Sequence, residues 1–491
     1  MTGTVWLAQR ALLAIVLMVS FYVLAAAVVL GLLWIPYAEW VYLDRVHPRL
    51  AFGCIVSALA LVVAVFPRRD NFDAPGPRLD EASQRKLFTM LRSVADATKQ
   101  DMPAEVFLVS DVNAWVSNRG GTMGFGSRRV MGLGLPLLQG LTVSEFKAVI
   151  AHEFGHYAAG DVGLGPWIYK TRAAIARVMS SLGDSWVSAI FNAYGNLFMR
   201  LTLAISRQQE FLADALAARI VHPAIMASAL RRTGGLSPAF AAYWKSEVSP
   251  ALEAGYLPPL ATGFNQFLGS ERVTAAMTRS VNAEIEEDQS SPFDTHPPLK
   301  ERLEALSRLP APNVPLSSEP PASTLLEDLD WHARELLSFA AGEQAIKQLR
   351  EIGWDQLASQ VYTAGWRQTV ARFAQFLSSH TADALPLDRA EYAKLGSSLP
   401  GGGTRSSDER VAMACNIVAA GVALALLAAG ATLESQLGSP ILFRKGTMTM
   451  DPFTEVRKVV SGEVALAEWQ AKCHAMGIAG RSLGPQAAAV N

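Results

Sequence analysis

Cysteine is nearly missing from this chain. Its 491 residues hold three, Cys54, Cys415 and Cys473, widely separated, so a disulfide-stapled secreted scaffold is excluded. Charge is scarce too: Asp, Glu, Lys and Arg make up 18% of the residues, against roughly 25% in ordinary soluble domains. The 43 basic and 44 acidic residues leave a formal net charge of −1. That gives no basic excess for a nucleic-acid partner, and a chain so apolar is not a disordered one. Neither a phosphate-binding loop nor a dinucleotide fingerprint is present, since Gly132 and Gly134 lack the third glycine and the helix start that would follow. Internal repeats are absent as well. What remains is a globular protein, a membrane protein, or both in one chain, with length enough for about three units.

Half of the residues are hydrophobic, and they are clustered. Ala11 to Ile35 carries no charge. At 1.5 Å per residue it exceeds the ~20 residues that a hydrocarbon core of about 30 Å requires. Trp6 precedes it, and Trp34, Tyr37, Trp40 and Tyr42 gather at its far end like an interfacial belt. The run is too long, and its leading segment too weakly basic, for a cleaved signal. Leu50 to Phe66 forms a second uncharged run, near the lower limit for a span, with a buried core helix as the alternative. Arg10, Arg68, Arg69 and Arg78 flank the pair on one side, while Arg45 and Arg49 between the runs are offset by Glu39 and Asp44. The positive-inside rule therefore favours the cytoplasmic side for the N-terminus and for the large domain after Phe66. A third run, Val411–Leu433, is rich in Ala and Gly, and suits a span or a buried helix equally.

Between the runs lies the sequence His152-Glu153-Phe154-Gly155-His156. Two histidines four apart share one helix face and can reach a single Zn²⁺ at about 2.0–2.1 Å, with the intervening Glu153 turned toward the attacking water. Thr142 and Glu145 offer a capping box, Phe146, Val149, Ile150 and Phe154 an apolar stripe, and Gly160 a stop. Such a site needs a third protein ligand. Glu210 and Asp214, four apart among Phe211, Leu212, Ala213 and Ala215, supply it. Glu210 can ligate, and Asp214 can hydrogen-bond a ligand histidine. Unpaired carboxylates in so apolar a setting would be costly.

These motifs, H-E-F-G-H followed by S-R-x-x-E-x-x-A-D, resemble those of the membrane-associated zinc metallopeptidases that include the HtpX-type heat-shock proteases and the CAAX prenyl proteases. The resemblance covers about Asp80 to Leu309. It implies roles for further residues: Asn113, in Val112-Asn113-Ala114-Trp115, as a substrate-positioning residue, and His296, in Asp294-Thr295-His296-Pro297, as an oxyanion stabiliser. Arg302 ends the same motif and reads as structural. Val130 to Leu135 takes the place of the family's strand before the zinc helix, and Leu135–Leu138 that of a short helix. The interval between His156 and Glu210 departs from HtpX-like members, whose interval contains membrane spans. Lys170, Arg172, Arg177, Asn192, Asn196 and Arg200 interrupt its two helical stretches. An amphipathic hairpin over the cleft or on the membrane surface is expected instead.

The expected fold is mainly α: a zincin-like α+β metallopeptidase core with a small sheet, preceded by two transmembrane helices. Residues 1–70 form the anchor, with spans at about 11–35 and 50–66, and residues 71–309 the peptidase domain. A Pro-rich linker at 310–322 leads to a helical accessory region at 323–395. A Gly/Ser linker at 396–410, the run 411–433 and a tail at 434–491 follow. The expected function is that of a zinc endopeptidase in protein quality control, with one Zn²⁺ per chain on His152, His156 and Glu210, Asp214 behind them, and Glu153 as the catalytic base. Its partners are polypeptide substrates and the lipid bilayer, without nucleic acid; its place is the inner or plasma membrane. Processing of one lipidated or precursor substrate, or a peptidase-like membrane adaptor, are the competing functions.

Overall fold

The computed structural model describes residues 2–66, 70–121, 126–157, 165–182, 186–287, 296–311, 319–385, 389–399 and 404–485. Gly160, Asp294 and Thr295 lie outside them, as do parts of both expected linkers. The chain forms two compact units, Met1–Ser237 with Met277–Ala340, and Pro238–Ala276 with Ala341–Asn491. It is mainly helical with small sheets, and opens with two apolar helices long enough to cross a membrane.

These are α1 (Thr2–Leu43) and α2 (Pro48–Val65). Pro48 starts α2, and the Glu39 carboxylate holds the loop by accepting from the His47 backbone N–H at 3.1 Å and facing the His47 ring at 2.7 Å. In their most apolar stretches only 28% of α1 and 22% of α2 is buried by protein. Leu30, Phe52, Leu59 and Val63 point outward, as side chains facing hydrocarbon must. Two further helices, α6 (Gly165–Leu182) and α7 (Trp186–Ile220), pack against this pair. Phe21 and Leu61 meet Ala174, Ile175, Val178, Phe191 and Phe198 in one apolar cluster. The hairpin thus packs against the N-terminal helices. Two of its arginines find partners here: Arg172 Nε donates to Thr202 Oγ1 at 3.2 Å, and Arg177 Nε to the Ala64 carbonyl at 3.0 Å, one of the orphan acceptors at the end of α2.

The peptidase-like part is built on a four-stranded sheet ordered β1-β2-β4-β3, with β1 Arg78–Leu79, β2 Glu105–Val109, β3 Ala114–Arg119 and β4 Arg128–Gly134. The central pair β2–β4 is parallel; β3 runs antiparallel to β4 and forms an edge. Gly132 is required there, because a Cβ would collide with the Trp115 indole lying across it. From β4 the chain enters α4 (Leu135–Gly140) and then the motif helix α5 (Val143–His156), which packs against α3 (Arg85–Thr98). Thr142 and Glu145 form the expected reciprocal cap. Phe146, Ile150 and Phe154 are fully buried. The end of the Pro-rich stretch adds a second cap: Glu319 accepts from the Ser144 N–H at 2.8 Å and hydroxyl at 2.7 Å, Val143 N–H donates to the Pro320 carbonyl, and Ala322 N–H to that of Leu141. A carboxylate suits the positive end of a helix dipole.

In the second unit the helix Ser407–Ala428 is central, capped by Ser406 and Glu409. In its most apolar stretch 67% is buried by Trp366, Tyr392, Phe443, Trp469 and their neighbours. A three-stranded antiparallel sheet, Thr432–Glu434, Leu442–Lys445 and Met448–Met450, follows it.

Candidate metal centre

Helix periodicity sets His152 and His156 on one face of α5, one turn apart, and places Glu210 and Asp214 likewise on α7. The two helices lie close because α5 offers glycine at the contact: a Cβ on Gly155 would stand 2.9 Å from Ala213 Cα. The ligand-type atoms of His152, His156 and Glu210 all fall within 4.8 Å of one another. The two Nε2 atoms are 3.2 Å apart, His152 Nε2 is 3.4 Å from Glu210 Oε2, and His156 Nε2 is 3.6 Å from Glu210 Oε1. Tetrahedral ligands at 2.0–2.1 Å from one ion lie about 3.3 Å apart, so the residues fit a metal. Glu210 Oε2 is also buried without a hydrogen-bond donor, a state that coordination would relieve.

Asp214, 2% exposed, stands behind the cluster. Its Oδ1 is 2.9 Å from His152 Nδ1, which leaves Nε2 for a metal. Arg302 grips the same carboxylate through both prongs, Nε to Oδ2 at 2.8 Å and Nη2 to Oδ1 at 2.6 Å, and lies 3.6 Å from Glu210. Two buried acids one helical turn apart would repel; Arg302 and the imidazoles neutralise them. Arg302 is therefore part of the site, a role the sequence reading assigned only as structural. Its signal was the motif it shares with His296. His296 approaches from the other side, Nδ1 2.9 Å from Glu210 Oε1, with most of its ring exposed. Asn113 is exposed at the start of β3, its carbonyl accepting from the Gly134 N–H at 2.8 Å.

Burial opposes charge throughout, and the neighbours decide the outcome. At Glu210 desolvation raises the pKa, but the facing His152 and His296 rings and the Arg302 charge hold the carboxyl well below the usual range. At His152 burial lowers the pKa, while Asp214 and Glu210 outweigh it and carry it up to about 9. Burial, then the His152 charge, take His156 down to about 4. A bound cation would reverse the first of these histidine preferences, because ligation needs the neutral ring. Glu153 is half-buried between the two histidines, and desolvation pushes it up to about 7.

Two histidines and a glutamate on facing helices, with an acid between the histidines, make a metallopeptidase-type centre. Residues 81–309 match the model of Peptidase family M48. The Protease HtpX homolog of Paracidovorax citrulli (strain AAC00-1) is 27% identical over 248 residues, 46% of this chain and 72% of its own length. The Protease HtpX of Pasteurella multocida (strain Pm70) is 27% identical over 251 residues, 48% of this chain and 74% of its own. For the Protease HtpX of Pseudomonas fluorescens (strain SBW25) the figures are 27% over 191 residues, 35% of this chain and 55% of its own length. No solved structure matches. The chain is thus a membrane-associated metalloprotease whose second unit lies largely beyond the family match.

Proposed function

We propose that the protein is a membrane-anchored zinc endopeptidase acting in quality control of misfolded or membrane proteins. One observation carries the reading: three ligand-type atoms from two facing helices converge within 4.8 Å, backed by a carboxylate that is itself neutralised. His152, His156 and Glu210 would hold one Zn²⁺, which when bound supplies a Lewis acid that activates water and polarises the scissile carbonyl. Asp214 fixes the His152 ring, and Arg302 fixes Asp214. Glu153, ionised above its pKa, accepts the proton of the attacking water and returns it to the departing amine. His296 donates to the oxyanion of the tetrahedral intermediate, and Asn113 aligns the substrate beside it. The edge strand β3 pairs with the substrate backbone, which reads little side-chain identity and suits a broad range of unfolded segments. The Arg-rich flanks of α1 and α2 support a cytoplasmic location for the catalytic domain, at the inner or plasma membrane.

The test is direct. Purified wild type should bind one zinc per chain and degrade unfolded polypeptides. Glu153→Gln should keep the metal and lose about 10²–10⁴-fold in rate. Full proteolysis in that variant, or wild type without stoichiometric zinc, sinks the reading.

A further inference from the structure

In an antiparallel pair, residues alternate between exchanging hydrogen bonds with the partner and turning their backbone groups away from it. Gly134 N–H donates to the Asn113 carbonyl at 2.8 Å, and the register pairs Trp115 with Gly132, Ser117 with Val130 and Arg119 with Arg128. These odd-numbered residues of β3 therefore face β4. The backbone groups of Ala114, Val116 and Asn118 face outward, along the open edge of the sheet. One of those outward acceptors is taken. The Tyr157 hydroxyl donates to the Val116 carbonyl at 2.9 Å. Tyr157 directly follows the candidate ligand His156, so it bridges the end of α5 to the edge strand. Its ring is held by the Arg129 guanidinium, 4.4 Å from the ring centroid, on the neighbouring strand β4.

We propose that Tyr157 is a specificity-determining gate on the peptide-binding edge: its hydroxyl occupies the backbone acceptor that a fully paired substrate strand needs. The proposal rests on the peptidase reading above and adds what the site selects. A peptide covering only the metal leaves the Tyr157–Val116 bond intact. A peptide paired along all six residues of β3, about 20 Å at 3.3 Å per residue, must replace the hydroxyl with its own N–H. The exchange keeps Val116 satisfied and costs the Tyr157 hydroxyl its bond, so the toll on a long peptide is that of one ordinary hydrogen bond. Folded loops cannot present an extended N–H at that point. The substrate class is therefore an extended, unfolded segment long enough to displace Tyr157.

The experiment uses the full-length protein in liposomes with two fluorogenic peptides sharing one scissile centre, four and twelve residues long. In Tyr157→Phe the KM for the long peptide should fall roughly two- to tenfold relative to that for the short one, the range set by one ordinary hydrogen bond. Arg129→Ala, which keeps the hydroxyl but releases the ring, should shift the same ratio in the same direction and by less. It also serves if Tyr157→Phe does not fold. An unchanged long-to-short ratio in folded variants overturns the gate, as does an equal loss of kcat on both peptides, which would place Tyr157 at the reacting atoms. Wild type that cleaves neither peptide, or cleaves them insensitively to chelators, overturns the peptidase reading and the gate with it.

Discussion

At Glu153, desolvation holds the carboxyl up to about 7, so it passes between acid and base near neutrality. Only the ionised form can accept a proton. The value of kcat/KM should therefore rise about tenfold per unit below this pKa and level off above it. A cation in the site adds positive charge and lowers the carboxyl, so the midpoint should stand at or below about 7. A pH profile on a neutral peptide measures this; activity that falls between pH 5 and 7 contradicts it. Arg302 makes a separate prediction. Its removal leaves Asp214 and Glu210 buried with less compensation, at a cost of about 3–5 kcal/mol for a broken buried pair. Urea unfolding of Arg302→Ala should show this, together with weakened metal binding. Arg302→Lys should recover only part, because an ammonium cannot match both carboxylate oxygens.

The two motif helices meet through Gly155, where an added Cβ falls 2.9 Å from Ala213 Cα and 3.1 Å from its Cβ. Backbone on one side cannot move aside as a flexible side chain would. Gly155→Ala should therefore push α5 and α7 apart, cost about 1–3 kcal/mol, and weaken metal binding by separating His152 and His156 from Glu210. Calorimetric metal titration alongside thermal melting checks both parts; unaltered metal affinity counts against this packing. The motif spacing made α5 and the Glu210 helix legible in advance, and the Thr142–Glu145 cap was readable as well. The course of α6 and the first half of α7 was not. Lys170, Arg172 and Arg177 interrupt the run, and only contacts distant in sequence, such as Arg177 with the Ala64 carbonyl, show how an interrupted helix packs against two apolar ones.

At the scale of the molecule, three helices among the described residues are long and apolar enough to cross a membrane, yet protein encloses them unequally. It buries 67% of the apolar stretch of Ser407–Ala428, against 28% and 22% in α1 and α2. We propose that α1 and α2 span the bilayer while Ser407–Ala428 is the core of its own unit. Reporter fusions after residues 70, 405 and 430 should then all report the cytoplasmic side. Opposite sides at 405 and 430 would make the helix a span. Hydropathy alone left this choice open, because an Ala-rich helix wrapped in protein and one wrapped in lipid have the same composition.

By itself, the sequence determined the local chemistry: which residues can ligate or move a proton, which helix faces they share, and which runs are too apolar for water. These depend on periodicity and side-chain type within a few turns of chain. The tertiary structure decided what depends on partners distant in sequence. It turned Arg302 from a helix residue into the counter-charge of Asp214. It brought Glu319 to the start of α5, set Tyr157 against the edge of β3, and enclosed Ser407–Ala428. Each is a contact across the fold, and no local pattern encodes which distant group will complete it.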